Sequence, residues 1–430
     1  MKYPPTDSSF YIENRKKFCS KLEKNSLAIF QSNDEMPRNG DQNFLFRQQS
    51  DIFYLTGIDQ EETILILYPD CPREEYKEVL LLRRTNEKIA QWEGHKVTEE
   101  EGQKSSGIKK IMATDELPSI LHMLMVYADH IYLNLNENDR LIPHVDDRNQ
   151  RFVNQLVHQY PLHHYHRSAQ IMMHLRQIKQ EAEITLIKEA IRHTANAFNR
   201  VLKFVKPGVK EYEIEAEITH EFVRNGCKGH AYEPIIASGK NACVLHYIEN
   251  GAVCNAGDLL LLDFGADYAN YAADLTRTIP VNGKFTARQK KIYNAVLRVH
   301  NQAKKLLKPG TIPHEINEKI VGEMMQEELL NLHILKKSEV KKQDPDKPAY
   351  KKYFMHGTSH HLGLDTHDFG SRFEPMKPGM VFTCEPGIYI PEENIGIRIE
   401  NDVLITRNGN VDLMSMIPIE ADEIEAAMKQ

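Results

Sequence analysis

Short apolar runs alternate with amphipathic segments along residues 1–172 of the chain. The runs that predict β-strands are 26–31, 52–57, 63–68, 79–82 and 131–135. Helical patterns cover 12–22 and 115–127, and the second begins at an aspartate with Glu116 and Pro118 in its first turn. This alternation predicts an α/β N-terminal domain with a mixed sheet over 1–172.

The rest of the chain, 173–430, repeats one arrangement twice. The tripeptide Lys-Pro-Gly occurs at 206–208 and again at 308–310, each time between two helical patterns and ahead of apolar strands. The predicted helices are 177–205, 210–225, 287–307 and 313–331, with a short last one at 419–428, and the segment 167–176 is the predicted linker. We therefore predict two α+β halves related by a pseudo-twofold axis.

Each half contains an apolar strand that ends in an acid. GDLLLLDFG (257–265) and GMVFTCEPG (379–387) are both bounded by glycine, and Asp263 and Glu385 occupy the same place in them. Each strand is predicted to turn back on itself, about Tyr268-Ala269 in the first half and Glu392-Glu393 in the second. These turns would place Asp263 opposite Asp274, and Glu385 opposite Glu400.

Opposed residues of an antiparallel hairpin share a face, with their Cβ atoms roughly 5 Å apart. The two predicted hairpins would therefore bring four carboxylates together in apolar surroundings. Burial and mutual repulsion disfavour such a group unless cations lie between its members. The alternative is a set of strand-end acids in ordinary salt bridges, and the repeat pattern together with a histidine-rich stretch, YFMHGTSHHLGLDTHDFG (353–370), favours the metal site.

Composition excludes several classes of protein. The net charge is −7, and the sequence has no basic stripe of the kind that binds nucleic acid. No stretch approaches the roughly 20 apolar residues of a membrane span, and the amino terminus lacks the apolar core of a signal peptide. The six cysteines are dispersed without a CxxC pair, which predicts reduced thiols and a cytoplasmic protein. The Lys-rich segment 336–352 is predicted to be a solvated loop.

Four motifs occur in the order and spacing of one known family. They are LLLDFGADYANYAADLTRTIPVNGKFT, HGTSHHLGLDTHD, TCEPGIYI and GIRIEND, and RQQSDIFYLTGIDQEETILIL near the amino terminus resembles that family's preceding domain. On these motifs the chain resembles the aminopeptidase P family of the pita-bread metallopeptidase superfamily. The resemblance implies a pita-bread catalytic domain over 173–430 with its pseudo-twofold duplication.

The resemblance also implies a ligand set for two divalent metal ions. Asp274 and Glu400 would bridge both ions, Asp263 would chelate one, and His360 and Glu385 would complete the other. An oxygen-rich set with one imidazole suits Mn²⁺, and Zn²⁺ or Co²⁺ are alternatives.

The catalytic residues implied by the same motifs are His246, His367, Glu385 and Arg398. The implied substrate-binding residues are His246, His356, His367 and Tyr389. His361 is expected in the pocket wall and not as a ligand. For His356 a hydrogen-bonded core position is the plain alternative, for Arg398 a salt bridge, and for Tyr389 simple packing.

The implied activity is release of the N-terminal residue from peptides with proline in second position, through a hydroxide that bridges the metals. A prolidase, which takes only Xaa-Pro dipeptides, is the alternative, and a metal-free binding module is disfavoured because all five ligand positions are present. A homodimer or homotetramer is expected by resemblance. Trp92, the only tryptophan, is interpreted either as a surface anchor under its own loop or as part of a loop over a neighbouring subunit's site.

Overall fold

The computed structural model describes residues 3–429, apart from the side chain of Glu318. The chain forms two compact units, Tyr3–Arg176 and the part from Gln177 onward. The predicted boundary at 172/173 lies inside the last helix of the first unit, Ser168–Arg176.

The first unit is built on one six-stranded sheet. Over the described residues 3–176 the unit has eight strands in all, two of them outside this sheet: β1 (Ser26–Gln31), β2 (Pro37–Asn39), β3 (Gln42–Asn43), β4 (Ile64–Leu67), β5 (Glu78–Leu82), β6 (Lys110–Ala113), β7 (His130–Leu133) and β8 (His164–Arg167). Its helices are α1 (Ser8–Cys19), α2 (Ser50–Thr56), α3 (Glu87–Glu93), α4 (Glu99–Ser106), α5 (Leu117–Tyr127), α6 (Arg148–Gln159) and α7 (Ser168–Arg176). The sheet order is β6-β5-β4-β1-β7-β8, while β2 and β3 form a separate ribbon.

The predicted mixed sheet is confirmed. Strand β4 pairs antiparallel with β1 and β5, whereas β6, β7 and β8 join their neighbours in parallel. Apolar side chains of the sheet pack against α5 and α6, with Leu27, Ile66, Leu124 and Leu156 fully or almost fully buried. Burial of this apolar area is the main driving force for the unit.

The strand predicted at 52–57 is wrong, because this segment forms helix α2. The side chain of Gln49 accepts hydrogen bonds from the amides of Asp51 and Ile52 at 2.7 and 2.9 Å, and Gly57 ends the helix in the left-handed conformation. All residues from Asp51 to Thr56 are buried. A helix that is buried on every side shows no amphipathic period, so its apolar run could not be told from that of a buried strand.

The predicted linker is also an ordered element, the end of β8 followed by α7. Arg176, its last residue, donates from Nη1 to Oδ1 of Asp51 at 2.8 Å, and both side chains are about 95% buried. Asn134 donates to the other oxygen of the same carboxylate at 3.0 Å. Because removing one partner would leave a buried charge unpaired, this contact holds α7 firmly within the first unit.

The second unit contains seven α-helices and eleven strands in its described part. The helices are α8 (Glu181–Phe204), α9 (Glu211–Arg224), α10 (Ala287–Leu306), α11 (Pro313–Glu315), α12 (Gly322–Asn331), α13 (Lys337–Val340) and α14 (Ala421–Ala427). The strands are β9 (Gly229–His230), β10 (Ile235–Ser238), β11 (Leu259–Phe264), β12 (Ala266–Tyr268), β13 (Tyr271–Ala272), β14 (Leu275–Pro280), β15 (Val381–Cys384), β16 (Gly387–Ile390), β17 (Ile395–Arg398), β18 (Asn401–Thr406) and β19 (Gly409–Asp412). A π-helical segment, Ile316–Val321, joins α11 to α12.

The strands of this unit form two antiparallel sets that meet at one seam. Sheets β10-β11-β14 and β13-β12-β9 belong to the first half, and β15-β18-β19 and β16-β17 to the second. Thr276 of β14 makes an isolated bridge to Glu400, and Thr278 exchanges hydrogen bonds with the backbone of Arg398. Both Lys-Pro-Gly turns carry a left-handed glycine, Gly208 (φ 95°) and Gly310 (φ 86°), as a duplicated arrangement predicts.

The register of the second hairpin is as predicted, and that of the first is not. Pairing of Cys384 with Asn401 and of Gly387 with Arg398 places Glu385 opposite Glu400. In the first hairpin Asp263 faces Thr276 instead of Asp274. The turn is centred one residue later than predicted, on Ala269 and Asn270, which both adopt left-handed φ angles. The symmetric spacing of Asp263 and Asp274 about Tyr268-Ala269 therefore did not determine which residues pair in the first hairpin.

The Lys-rich segment follows its predicted pattern. The Lys-rich segment 336–352 is mostly exposed, with the short helix α13 near its start. Within the described residues, no helix is both long and apolar enough to cross a membrane.

Gly265 sits where the first hairpin leaves no room for a side chain. A Cβ at this position would lie 1.6 Å from the carbonyl oxygen of Ala273. We predict that Gly265→Ala lowers the free energy of unfolding by about 3 kcal/mol, because the clash is with backbone and cannot be relieved by a rotamer change. Thermal or urea unfolding measures the loss. Gly251→Ala is the control, since its Cβ would meet nothing closer than 3.8 Å, and equal stability of the two variants would contradict the prediction.

Candidate metal centre

Four carboxylates converge where the strands of the second unit break. Asp263 is near the end of β11, Asp274 precedes β14, Glu385 lies between β15 and β16, and Glu400 lies between β17 and β18. Asp263, Asp274 and Glu400 are buried, and Glu385 is partly buried. Asp274, Glu400 and His360 each offer one ligand atom within 4.8 Å of the others.

His360 presents one ring nitrogen to these acids. Its Nδ1 lies 2.9 Å from the backbone oxygen of His361, so Nδ1 carries the proton in the neutral ring. Its Nε2 lies 3.5 Å from Oδ2 of Asp274 and 3.6 Å from Oε1 of Glu385. Although burial favours the neutral imidazole, the two carboxylates raise the pKa of His360. The site therefore favours a positive charge at Nε2, where a metal ion would bind.

Among the described residues, Arg398 is the one arginine or lysine that donates to the side-chain carboxylate of one of these four acids. Its Nη2 donates to Oδ2 of Asp263, its Nη1 to the Tyr389 hydroxyl at 2.9 Å, and its Nε to Oγ1 of Thr276 at 3.2 Å. Three directed hydrogen bonds fix the guanidinium against the carboxylates. One positive charge cannot balance four carboxylates, so the centre keeps a negative surplus.

Tyr232 is a further residue of the centre, which the sequence motifs did not predict. Its hydroxyl lies 2.6 Å from Oδ1 of Asp263 and 2.5 Å from Oδ1 of Asp274, in the interior of the second unit. A phenol has one proton and can donate to only one of these oxygens at a time. The sequence signal was the position of Tyr232 in HAYEP, just before strand β10, which pairs with the strand that carries Asp263.

Thr276 was also missed, and it links Glu400 to Arg398. Its Oγ1 donates to Oε2 of Glu400 at 2.6 Å and accepts from Nε of Arg398. It holds this position because it pairs with Asp263 in the observed register. The predicted register placed Asp274 opposite Asp263, so it did not indicate that Thr276 occupies that position.

The protonation behaviour of the acids fits a site for divalent cations. Burial raises the pKa of Glu385 to about 7, and Asp274 and Asp263 add to the increase while His360 and Arg398 oppose it. Burial and the neighbouring carboxylates raise the pKa of Glu400 well above its ordinary value, and burial also raises that of Asp263. Acids that repel one another in a buried place are stabilised when cations take the place of their protons. The oxygen-rich donor set with one imidazole nitrogen suits divalent metal ions.

The remaining predicted site residues lie around this centre and differ in their exposure to solvent. His356 accepts from the Tyr389 hydroxyl at 2.7 Å through Nε2, and its Nδ1 lies 3.8 Å from Oε2 of Glu385. Burial, with the charge of Arg398, lowers the pKa of His356 to about 3, so its ring is neutral. The exposed ring of His367 packs edge-on against His360 with centroids 4.4 Å apart. His246 is exposed and lies close enough for its charge to lower the pKa of His356.

His361 faces away from the acids. Its Nε2 lies 3.2 Å from the backbone oxygen of Ser371, and its ring packs on Phe382 with centroids 4.2 Å apart. Burial lowers its pKa to about 4, so the ring is neutral. These contacts agree with the expected place of His361 in the wall.

The duplicated fold and the buried cluster of carboxylates with one histidine define a metallohydrolase centre. Comparison with known proteins agrees with this class: residues 185–407 match metallopeptidase family M24, and residues 11–132 match the aminopeptidase P N-terminal domain. The Xaa-Pro aminopeptidase of Escherichia coli is 34% identical over 443 residues, which cover 97% of each chain. That of Haemophilus influenzae is 33% identical over 97% of this chain and 96% of its own.

Solved structures agree over nearly the whole chain. A structure of an aminopeptidase P from Bacillus anthracis superposes with a TM-score of 0.91 at 34% identity, covering 99% of both chains. The E. coli aminopeptidase P with the inhibitor Pro-Leu gives a TM-score of 0.88 at 32% identity and the same coverage. A zinc-substituted form of the E. coli enzyme, in complex with product, matches equally well.

The chain belongs to metallopeptidase family M24 and, within it, to the aminopeptidase P group. It is therefore a metallo-aminopeptidase that works with divalent metal ions. The predicted fold, an α/β N-terminal domain followed by a pita-bread catalytic domain, is confirmed by the two domain matches and the structural superpositions.

Thr276 allows a test of how the centre is held together. We predict that Thr276→Val lowers metal affinity by about 10- to 100-fold, because Glu400 loses the hydroxyl that orients it. Thr278→Val is the matched control: Thr278 lies on the same strand, and its hydroxyl bonds the backbone of Arg398 instead of a carboxylate. Isothermal titration of the metal-free protein with Mn²⁺ measures both variants. Equal affinities for the two would show that Thr276 does not orient a ligand.

Proposed function

We propose that this protein releases the N-terminal residue from peptides with proline in the second position. We further propose that Asp263, Asp274, His360, Glu385 and Glu400 hold two divalent ions for this reaction. The E. coli and H. influenzae proteins that match along almost the entire chain are Xaa-Pro aminopeptidases, which supports the substrate class.

One observation carries the assignment of the metal ligands. The lone pair of His360 Nε2 is directed at Asp274 and Glu385, while its other nitrogen is used by a backbone carbonyl. Each half of the duplication contributes two carboxylates to the group. Glu385 and Glu400 of the second half are directly opposed, whereas Asp263 and Asp274 of the first half are not. In this proposal Asp274 and Glu400 would hold both ions, Asp263 would hold one of them, and His360 with Glu385 would hold the other.

Divalent ions held by these residues would supply Lewis-acid chemistry, which polarises a scissile carbonyl and lowers the pKa of water. Glu385 is the proposed acceptor of the proton that the water loses. Its carboxylate is partly exposed, whereas the other three acids are buried, and this position suits a group that takes and returns a proton. Arg398 holds Asp263 in place and keeps a positive charge beside the acids.

The histidines around the acids are the proposed substrate contacts. His246 and His367 are exposed, so a peptide can reach their rings, and we assign them hydrogen bonds to the developing oxyanion or to the departing amine. His356 and Tyr389 form a hydrogen-bonded chain to Arg398. Through this chain they shape the substrate pocket and couple it to the carboxylates.

A proline in second position has a particular consequence for the chemistry. The scissile nitrogen is then a tertiary amide without N–H, so the site cannot recognise it as a hydrogen-bond donor. Recognition must come from the shape of the pyrrolidine ring and from the free amino terminus.

Mn²⁺ is the proposed native metal, because four carboxylates and one imidazole form a predominantly oxygen donor set. Zn²⁺ and Co²⁺ are the alternatives. The predicted cytoplasmic location stays a prediction.

We predict that protein reconstituted with Mn²⁺ cleaves a tripeptide Xaa-Pro-Yaa between the first two residues. Asp274→Ala should lose this activity by several orders of magnitude, because it removes a proposed bridging ligand. The matched control is Asp258→Ala, an acid outside the cluster that caps the turn before β11. Release of the free first residue, followed by mass spectrometry for each metal in turn, provides the measurement.

Each other outcome would change the assignment in a defined way. Cleavage of the dipeptide Xaa-Pro without cleavage of the tripeptide would make the protein a prolidase. Inactivity with every divalent ion would contradict the proposed mechanism. Full activity of Asp274→Ala would remove that residue from the ligand set.

We also propose that the chain forms a homodimer or homotetramer. Trp92 lies on the last turn of helix α3 and is 80% exposed, so the interpretation of it as an anchor packed under its own loop is wrong. Leu45 and Ile142 are exposed to a similar degree in the same unit. Tryptophan is among the residue types enriched in the cores of protein–protein interfaces. Sedimentation analysis should give two or four times 49.7 kDa, and a species of 49.7 kDa would contradict the proposal.

A further inference from the structure

A second group of metal-binding side chains lies in the first unit, outside the catalytic domain. Strands β7 and β8 pair in parallel with His130 beside His164 and Tyr132 beside His166. Residues beside each other in a sheet share a face, so all four rings project from the same side. Glu23, just ahead of β1, reaches the same face.

The polar atoms of three of these residues approach one another closely. Nδ1 of His130 lies 2.8 Å from Nε2 of His166. The two oxygens of Glu23 lie 3.5 Å from Nε2 of His130 and 3.9 Å from Nδ1 of His166. One ligand atom from each of the three residues lies within 4.8 Å of the others.

The two imidazoles are held in place by their neighbours. The ring of His166 stacks on Tyr132 with centroids 4.7 Å apart and an angle of 15°, and that of His130 stacks on His164 at 5.3 Å and 28°. Both histidine side chains are about three-quarters buried, whereas that of Glu23 is about half exposed. Rings fixed in this way lose little rotamer freedom when they bind an ion.

We propose that His130, His166 and Glu23 form a binding site for one divalent ion of the Zn²⁺ type. Two imidazole nitrogens and a carboxylate oxygen make three of the four ligands of a tetrahedral zinc site, and the half-exposed position of Glu23 leaves room for water as the fourth. Binding displaces the proton shared by the two rings. The oxygens of Glu23 approach the other nitrogen of each ring, Nε2 of His130 and Nδ1 of His166, so a common ion requires the rings to rotate.

This site differs in chemistry from the catalytic centre. The catalytic group has four carboxylates and one imidazole, whereas this one has two imidazoles and one carboxylate. Nitrogen-rich sets favour Zn²⁺, Ni²⁺ or Cu²⁺ over Mn²⁺. The two sites should therefore be distinguishable by metal as well as by mutation.

Zinc stoichiometry of the full-length protein tests the proposal. Equilibrium dialysis against Zn²⁺, followed by elemental analysis, is applied to the wild type and to His166→Ala, each with and without Asp274→Ala. His166→Ala should bind one Zn²⁺ fewer per chain than its parent, both with Asp274 intact and with Asp274→Ala. With Asp274 intact, His166→Ala should keep its Mn²⁺-dependent peptidase activity. His158→Ala, which removes an exposed histidine of α6 in the same unit, should bind as much Zn²⁺ as its parent.

A second variant guards against loss of the fold. Glu23→Gln changes a half-exposed side chain isosterically and should weaken zinc binding without lowering the melting temperature in chelator. Unchanged zinc stoichiometry in both His166→Ala and Glu23→Gln would overturn the proposal. An equal loss in His158→Ala would also overturn it, since it would show non-specific binding to surface histidines.

Discussion

Mutual repulsion among four carboxylates in one buried place is the constraint on which the catalytic unit depends. Burial alone would protonate these acids, and the raised pKa values of Glu385 and Glu400 express that tendency. A fold that keeps them together needs cations to neutralise them, and Arg398 supplies only one charge. The arrangement of the acids therefore favours the binding of divalent metal ions.

The duplicated fold provides that arrangement along one seam. Thr276 of the first half donates to Glu400 of the second, and Arg398 of the second half donates to Asp263 of the first, so each half orients a carboxylate of the other. Arg277, which follows Thr276 and is fully buried, donates to the backbone oxygens of Thr276 and Glu400. Because buried polar groups of this kind are costly to leave unpaired, the seam tolerates little displacement. The metal centre is thus a property of the joint between the halves.

The sequence was sufficient for those features that repeat or that have a strong local pattern. The two Lys-Pro-Gly turns, the acid at the end of each strand and the long amphipathic helices all predicted real elements. Three features were beyond it: the buried helix α2 has no amphipathic period, the register of the first hairpin depends on left-handed residues at Ala269 and Asn270, and Tyr232 reaches the acids only through the tertiary fold. Each failure concerns long-range pairing or uniform burial, which local periodicity does not encode.

Anomalous X-ray diffraction at the manganese edge, from crystals of the Mn²⁺-loaded protein, tests the central claim most directly. We predict two anomalous peaks a few ångströms apart, enclosed by Asp263, Asp274, His360, Glu385 and Glu400, with both ions in contact with Asp274 and Glu400. A single peak, or peaks outside this group, would contradict the account that two ions balance the four carboxylates.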